Sequence, residues 1–278
     1  MQIYINGFTI QDPVYSYEGL AIGIYNTAHL LNHSCKPNCI QIFNNRQIYI
    51  KTLRPIKAGE QLTVSYFDVC RSKQERKKYA LQQYMFKCQC ERCENDDEEF
   101  AIKCQNCKKS EIKENELKCI QCGKEITNED MIKIKERIKQ ISEMMNDKSI
   151  EYNKKVDLIM EARKIGEMRD MQFCQIISDF IVFSIGKEQY RNAKIFLKKY
   201  IKNFVYWYKQ ELPLLFQKYN ELSKLLFFQN ELLEAEAVSQ KALNLCNKFY
   251  SEVEFQEKTD LIQRYQDIKH EIMMSKNN

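Results

Sequence analysis

The sequence predicts an α+β chain in which β-rich and helical parts follow one another rather than alternate. Three observations predict this. The first third sets β-branched and aromatic residues between turn formers, and the middle concentrates cysteine. From residue 129 onward, 150 residues hold only Gly166, Gly186 and Pro213 as helix breakers.

In chain order, "QIYINGFTI" and "GLAIGIYN" read as strands, and "CIQIFNNRQIYIKTL" as two strands joined at Asn44-Asn45. Between them, "LLNHSCKPNC" is a loop. Pro37 disfavours helical geometry for Lys36, Ser and Asn on both sides favour turns, and loops on a rigid scaffold are where chemistry tends to sit. The turn "RPIKAGE" leads into the strand "QLTVSYF". Ser72 and Glu75 then form a capping-box signature opening a helix to about Tyr84. Residues 88 to 122 are cysteine-rich, interrupted by the acidic linker "ENDDEE". In the helical half, "EQYRNAKIFLKKYI" and "NELLEAEAVSQKAL" align Ala193 with Ala235 at a period of 42, as stacked helical hairpins would. Small residues such as Ala193, Ala235 and Ala242 let paired helices approach closely.

No run of 18 apolar residues exists, so no membrane-spanning helix and no membrane partner are expected. The opening "MQIYINGFTIQDPVY" lacks a basic flank and apolar block, so it does not read as a signal peptide. The expected location is intracellular, cytoplasm and/or nucleus. There the twelve cysteines are thiolate ligands or core residues rather than disulfides. Net charge is +5, all of it within residues 71 to 92; the remainder balances. That segment reads first as a solvated helix face and second as an attraction for an acidic partner. Its basic residues are interleaved with few aromatics, Tyr79 and Tyr84 among them, which argues against a nucleic-acid partner.

Two C-x-x-C pairs, Cys104 with Cys107 and Cys119 with Cys122, give four soft ligands suited to tetrahedral zinc in a closed, structural site. Gly123 fits the tight turn such a knuckle needs. In "CQCERC", Cys88, Cys90 and Cys93 are one ligand short, and the opening loop offers Cys35 and Cys39. Cys39 also reads as a small buried residue at a strand start. Cys174 and Cys246 read as helical core, and Cys70 is unassigned.

"NHSCKPNC", then "GEQLTVSYFD", then "YMFKCQCERC" resemble, in order, two core motifs of the SET domain and the post-SET cysteines of protein-lysine methyltransferases. With the helical tail, the chain is similar to the SET-and-MYND subfamily, and the second four-cysteine set to members with an extra zinc ribbon. The resemblance divides the chain into the C-terminal part of a SET domain (1–87), a post-SET and zinc-ribbon region (88–128), and an all-α, TPR-like domain (129–278). It implies S-adenosylmethionine as cofactor and two zinc ions: one on Cys35, Cys88, Cys90 and Cys93, the other on Cys104, Cys107, Cys119 and Cys122. It implies Tyr66 as the active-site tyrosine, Asn32, His33 and Phe86 as cofactor-binding residues, and Tyr84 and Phe8 as lining the substrate-lysine channel. Without the adjoining motifs, His33 and the aromatics would read as core.

A lysine of pKa ~10.4 costs roughly 4.6 kcal/mol to deprotonate at pH 7, so a narrow aromatic channel that desolvates it suits the chemistry. The family's glycine-rich strand and MYND finger lie upstream of the motifs seen here, and the chain contains no G-x-G. One side of the cofactor pocket is therefore expected to be missing from residues 1–278. The leading expectation is a protein-lysine methyltransferase acting on a protein or peptide carrying a target lysine. Its rival is a catalytically inactive, zinc-stabilised adaptor that binds a protein partner through the helical domain.

Overall fold

The computed structural model describes residues 6–11, 19–67, 69, 73–94, 100–166, 171–208 and 211–276. The cap residue Ser72, Cys70, the linker at 95–99 and the first residues of the opening strand lie outside this set. The chain forms two compact units. One comprises residues 1–69, 77–94 and 208–278, the other 70–76 and 95–207. The compositional boundaries at 87 and 128 divide the chain by residue type, whereas the units are divided by contact.

In the first unit the β-structure is built of short two-stranded ladders. β1 (Phe8–Gln11) pairs antiparallel with β2 (Gly19–Gly23). β3 (Asn32–His33) pairs parallel with β6 (Thr63–Val64), and β4 (Cys39–Asn44) antiparallel with β5 (Gln47–Thr52). The expected strand "QLTVSYF" contributes only two residues, because β6 finds a two-residue partner. The β4–β5 turn sits at Asn45-Arg46, one residue later than expected. Asn45 takes a φ of 53°, a left-handed conformation that Asn tolerates. Cys39 opens β4 fully buried, as a core residue.

α1 (Lys73–Tyr84), which belongs to this unit from residue 77 onward, ends where expected, and α2 (Glu91–Glu94) follows it. The same unit contains α7 (Pro213–Phe228), α8 (Leu232–Tyr250) and α9 (Gln256–Lys276), packed in sequence. Pro213 starts α7, where its missing N–H costs nothing. These helices meet the β-structure through Asn44, whose amide donates to the Glu252 carbonyl at 3.3 Å, and through a Lys51–Glu252 ion pair.

In the second unit, β7 (Ala101–Lys103) pairs with β8 (Glu111–Lys113). The helices α3 (Asn128–Asn146), α4 (Tyr152–Ile165), α5 (Met171–Gly186) and α6 (Tyr190–Tyr208, through residue 207) follow. Thr127 and Asp130 cap α3 reciprocally. Cys174 in α5 and Cys246 in α8 are buried core, as expected. Among the described residues no helix is long and apolar enough to cross a membrane.

The period of 42 is a geometric repeat. The α5–α6 and α7–α8 turns place Glu188 and Asn230 at the same φ, 58°. Each turn closes with two matching bonds. Glu188 N donates to Ile185 O at 3.0 Å and Gln189 N to Ser184 O at 2.8 Å; Asn230 N donates to Phe227 O at 2.9 Å and Glu231 N to Leu226 O at 2.9 Å. Ala193, Ala235 and Ala242 are fully buried. Left-handed geometry costs a Glu more than an Asn, by roughly 1 kcal/mol. Glu188→Gly should therefore raise the unfolding free energy by about 0.5–1 kcal/mol, and Asn230→Gly by much less, as read by urea denaturation. Equal effects would contradict this account of the turns.

Candidate active site and two cysteine clusters

The loop "NHSCKPNC" and the segment "GEQLTVSYF" are joined by Asn38, which is buried. Its Oδ1 accepts from Thr63 N at 2.8 Å, its Nδ2 donates to Gln61 O at 2.9 Å, and its own N–H donates to Thr63 Oγ1 at 3.3 Å. With three of its polar atoms bonded, Asn38 fixes the register in which Asn32 meets Thr63 and His33 meets Val64. Ser34 N extends the ladder by donating to Val64 O at 3.0 Å.

This ladder delivers Tyr66 to His33. Tyr66 N donates to His33 Nδ1 at 3.1 Å, and the Tyr66 hydroxyl donates to the Leu31 carbonyl at 2.6 Å. Tyr84, at the end of α1, donates its hydroxyl to Tyr66 O at 2.9 Å. The rings of Tyr66 and Tyr84 lie 5.2 Å apart, those of His33 and Tyr66 5.3 Å, and those of His33 and Phe86 5.7 Å. Met85, between Tyr84 and Phe86, has a φ of 60°, and its N–H bonds back to Leu81 O at 3.2 Å. That left-handed cap turns the chain so that both flanking aromatics reach one site. Burial pushes the Tyr66 and Tyr84 hydroxyls above the usual phenol range, so both stay protonated near neutral pH.

Of the expected site residues, Tyr66, Tyr84, Phe86 and His33 come together. Asn32 neighbours them in β3 and is exposed. Phe8 does not join them in its described ring contact; it packs edge-on against Tyr25 at 5.8 Å. Its place in β1 follows from the β1–β2 pairing, which its local "NGF" segment does not encode. Three further members went unread in the sequence. Phe67 stacks on His33 at 4.4 Å, Tyr79 packs on Phe67 at 5.2 Å, and Leu31 contributes only a carbonyl. Phe67 lies beside the tyrosine of the "SYF" motif, which is the signal that points to it. A backbone carbonyl leaves none.

Both cysteine sets assemble as expected, each with its four Sγ atoms within 4.8 Å of one another. In the first, Cys35 lies 3.9 Å from Cys88 and 3.5 Å from Cys93, Sγ to Sγ. In the second, Cys104 lies 3.6 Å from Cys122, and Cys107 3.7 Å from Cys119. Four sulfurs each about 2.3 Å from one ion at tetrahedral angles would be about 3.8 Å apart, so the donor sets fit a zinc-sized ion. Hydrogen bonds from the Cys35, Cys88 and Cys93 thiols hold Cys90 below the usual thiol range. The Asn106 amide helps bring Cys122 down to about 6. The thiolate is the form that binds metal.

The second set sits on two matching knuckles. Lys108 N donates to Cys104 O at 2.9 Å and Gly123 N to Cys119 O at 2.8 Å, with φ values of 56° and 71°. The glycine turn was legible; Lys108 fills the equivalent turn without being a glycine. Around the first set, Arg92 is buried between two ligands in sequence. Its Nη1 donates to Cys35 O at 3.3 Å and Val69 O at 2.9 Å, and its guanidinium lies 4.9 Å from the Tyr208 ring centre. Tyr208 donates to the same Val69 carbonyl at 2.8 Å. Arg92→Ala removes the guanidinium's bond to the Cys35 carbonyl and one of the two donors to the Val69 carbonyl, beside the cysteine cluster. It should cost on the order of 2–3 kcal/mol in chemical denaturation, and a loss under about 0.5 kcal/mol would contradict that role.

The SET domain family matches residues 6–67, which include β1 to β6 and Tyr66. The chain is 38% identical over 98 residues to histone-lysine N-methyltransferase SMYD3 of Mus musculus, covering 35% of this chain and 22% of that protein. It is 38% identical over 105 residues to histone-lysine N-methyltransferase SMYD1 of Homo sapiens, covering 33% and 21%. To N-lysine methyltransferase SMYD2 of Homo sapiens it is 34% identical over 100 residues, covering 36% and 23%. The match thus spans about a fifth of the length of each relative. The chain is thus SET-and-MYND-like: residues 6–67 match the SET domain, and about a third of the chain is similar to these methyltransferases.

Proposed function

We propose that the chain provides the lysine-side wall and part of the cofactor wall of a protein-lysine N-methyltransferase that uses S-adenosylmethionine. The observation that carries this reading is the meeting of the Tyr66 hydroxyl with the Leu31 carbonyl at 2.6 Å, inside a collar of His33, Tyr84 and Phe86. Two oxygens and several aromatic faces around one point suit a positively charged centre. When bound, S-adenosylmethionine supplies a methyl group on an electrophilic sulfonium. Asn32 and Phe86 would hold it from the β3 side. Both ring nitrogens of His33 are bonded within the chain, so that residue would serve the cofactor as part of the wall rather than through its imidazole.

Tyr66 keeps its proton, so it orients the attacking amine and complements developing positive charge instead of acting as a base. The amine must therefore arrive neutral, having left its proton to solvent. The narrow aromatic surroundings exclude water and favour the neutral form. The substrate is a protein or peptide with an exposed lysine, histone or non-histone, inside the cell. Both cysteine clusters would hold zinc, and Cys35, Cys88, Cys90 and Cys93 would thereby tie the post-SET segment to the loop beside the site.

Methyl transfer from labelled S-adenosylmethionine to a peptide array tests this reading, in residues 1–278 and in any longer form of the protein that contains them. Tyr66→Phe should cut kcat by about 10²-fold while leaving cofactor affinity by isothermal titration nearly unchanged. Cofactor binding without methyl transfer by the unaltered protein would instead support the adaptor reading.

The pH profile is equally definite. Below the amine's pKa, kcat/KM should rise about tenfold per pH unit as neutral amine accumulates. Because burial raises both phenols, no fall should set in below about pH 10. A decline between about pH 8 and 9 would contradict the assigned role of Tyr66. Elemental analysis should return about two zinc per chain, and a value near zero would remove the metal assignment.

A further inference from the structure

His33 touches two parts of the site that the motifs treat as separate. Its Nδ1 lies 3.1 Å from Tyr66 N, and its Nε2 lies 3.2 Å from Cys35 Sγ. A backbone N–H can only donate, so Nδ1 must be bare and accept. A neutral imidazole with a bare Nδ1 carries its proton on Nε2, and that proton points at the Cys35 sulfur. Phe67 stacks on one side of the ring at 4.4 Å, and Phe86 lies 5.7 Å away, tilted, so the imidazole is held in place by packing as well.

We infer that His33 is a positioning residue that orients the Cys35 thiolate in the first metal cluster through Nε2–H and thereby ties that cluster to the Tyr66 backbone through Nδ1. A donor to a ligating sulfur fixes the direction of its lone pairs and moderates its charge, as outer-shell partners of metal ligands do. Acting in the opposite sense, the cluster locks the ring whose other nitrogen holds Tyr66. The Tyr66 hydroxyl reaches Leu31 from that anchored backbone. One side chain thus transmits the geometry of a structural metal to a reacting centre, a role distinct from contacting the cofactor. The inference rests on the metal-binding reading of Cys35, Cys88, Cys90 and Cys93.

The test loads the chain with cadmium-113 in place of zinc. Two resonances, one per four-sulfur site, are expected, each identified by the signal lost in a Cys88→Ser or Cys107→Ser chain. In the unaltered protein the first site should show a scalar coupling from the cadmium to the His33 Nε2 proton, and nitrogen-15 spectra should place the proton on Nε2. Two substitutions then separate the two bonds. Asn offers an acceptor at the Nδ1 distance and no donor for sulfur; Gln offers a donor at the Nε2 distance. His33→Asn should shift the first cadmium resonance and weaken metal affinity there about 10–100-fold, leaving the second resonance in place as a control for folding. His33→Gln should retain most of that affinity while still impairing turnover, because Tyr66 N loses its acceptor.

A proton on Nδ1, or absence of coupling in the unaltered protein with both sites loaded, overturns the inference even if no variant folds. So does an unchanged first-site affinity in His33→Asn. Failure of cadmium to occupy the first cluster overturns this inference and the metal reading together, whereas occupancy without coupling overturns this inference alone.

Discussion

A parallel ladder only two residues long, Asn32–His33 against Thr63–Val64, is the constraint on which the site depends. So short a ladder cannot hold itself, since each hydrogen bond adds only about 0.5–1.5 kcal/mol net. It persists because Asn38 clamps one end with its buried amide and the His33 imidazole clamps the other. Remove the register and Tyr66 no longer meets Leu31, His33 no longer meets Cys35, and Tyr84 loses the carbonyl its hydroxyl donates to.

The cysteine cluster beside the ladder serves a complementary purpose. Cys35 comes from the loop and Cys88, Cys90 and Cys93 from the segment after α1, so one ion would close a connection of more than fifty residues. Apparent binding energies for structural zinc, about 10–16 kcal/mol, rival the total stability of a typical domain, about 5–15 kcal/mol. Short ladders and half-buried aromatics are what a fold can tolerate when such a tie is available. Arg92 carries the connection further, from the Cys35 carbonyl to Val69 and Tyr208.

What the sequence disclosed followed the range of its signals. C-x-x-C spacing is local, so the second cluster and the Gly123 turn were legible, and the rarity of Gly and Pro announced the helices. The 42-residue repeat was visible through Ala193 and Ala235, and its turns proved identical down to the left-handed residues Glu188 and Asn230. Motif order pointed to Tyr66, Tyr84, Phe86 and His33, because a resemblance carries long-range information that periodicity lacks. Illegible were features set by tertiary partners: the truncation of "QLTVSYF" to two strand residues, the pairing of Phe8 with Tyr25, and the burial of Arg92 in a charged-looking "CERC". Lys108 and Met85 occupy left-handed positions that composition assigns to glycine. Surrounding bonds impose those conformations, and side-chain preference does not reveal them.

The central claim is that metal in the first cluster, the two-residue ladder and the Tyr66 site form one cooperative element. Amide hydrogen exchange read by mass spectrometry, before and after zinc removal by a chelator, tests it most directly. The account predicts that peptides covering residues 31–38, 61–67 and 84–93 lose protection together, while those from α7 and α8 retain theirs. Undiminished protection across residues 31–38 and 61–67 in the metal-free protein would contradict it.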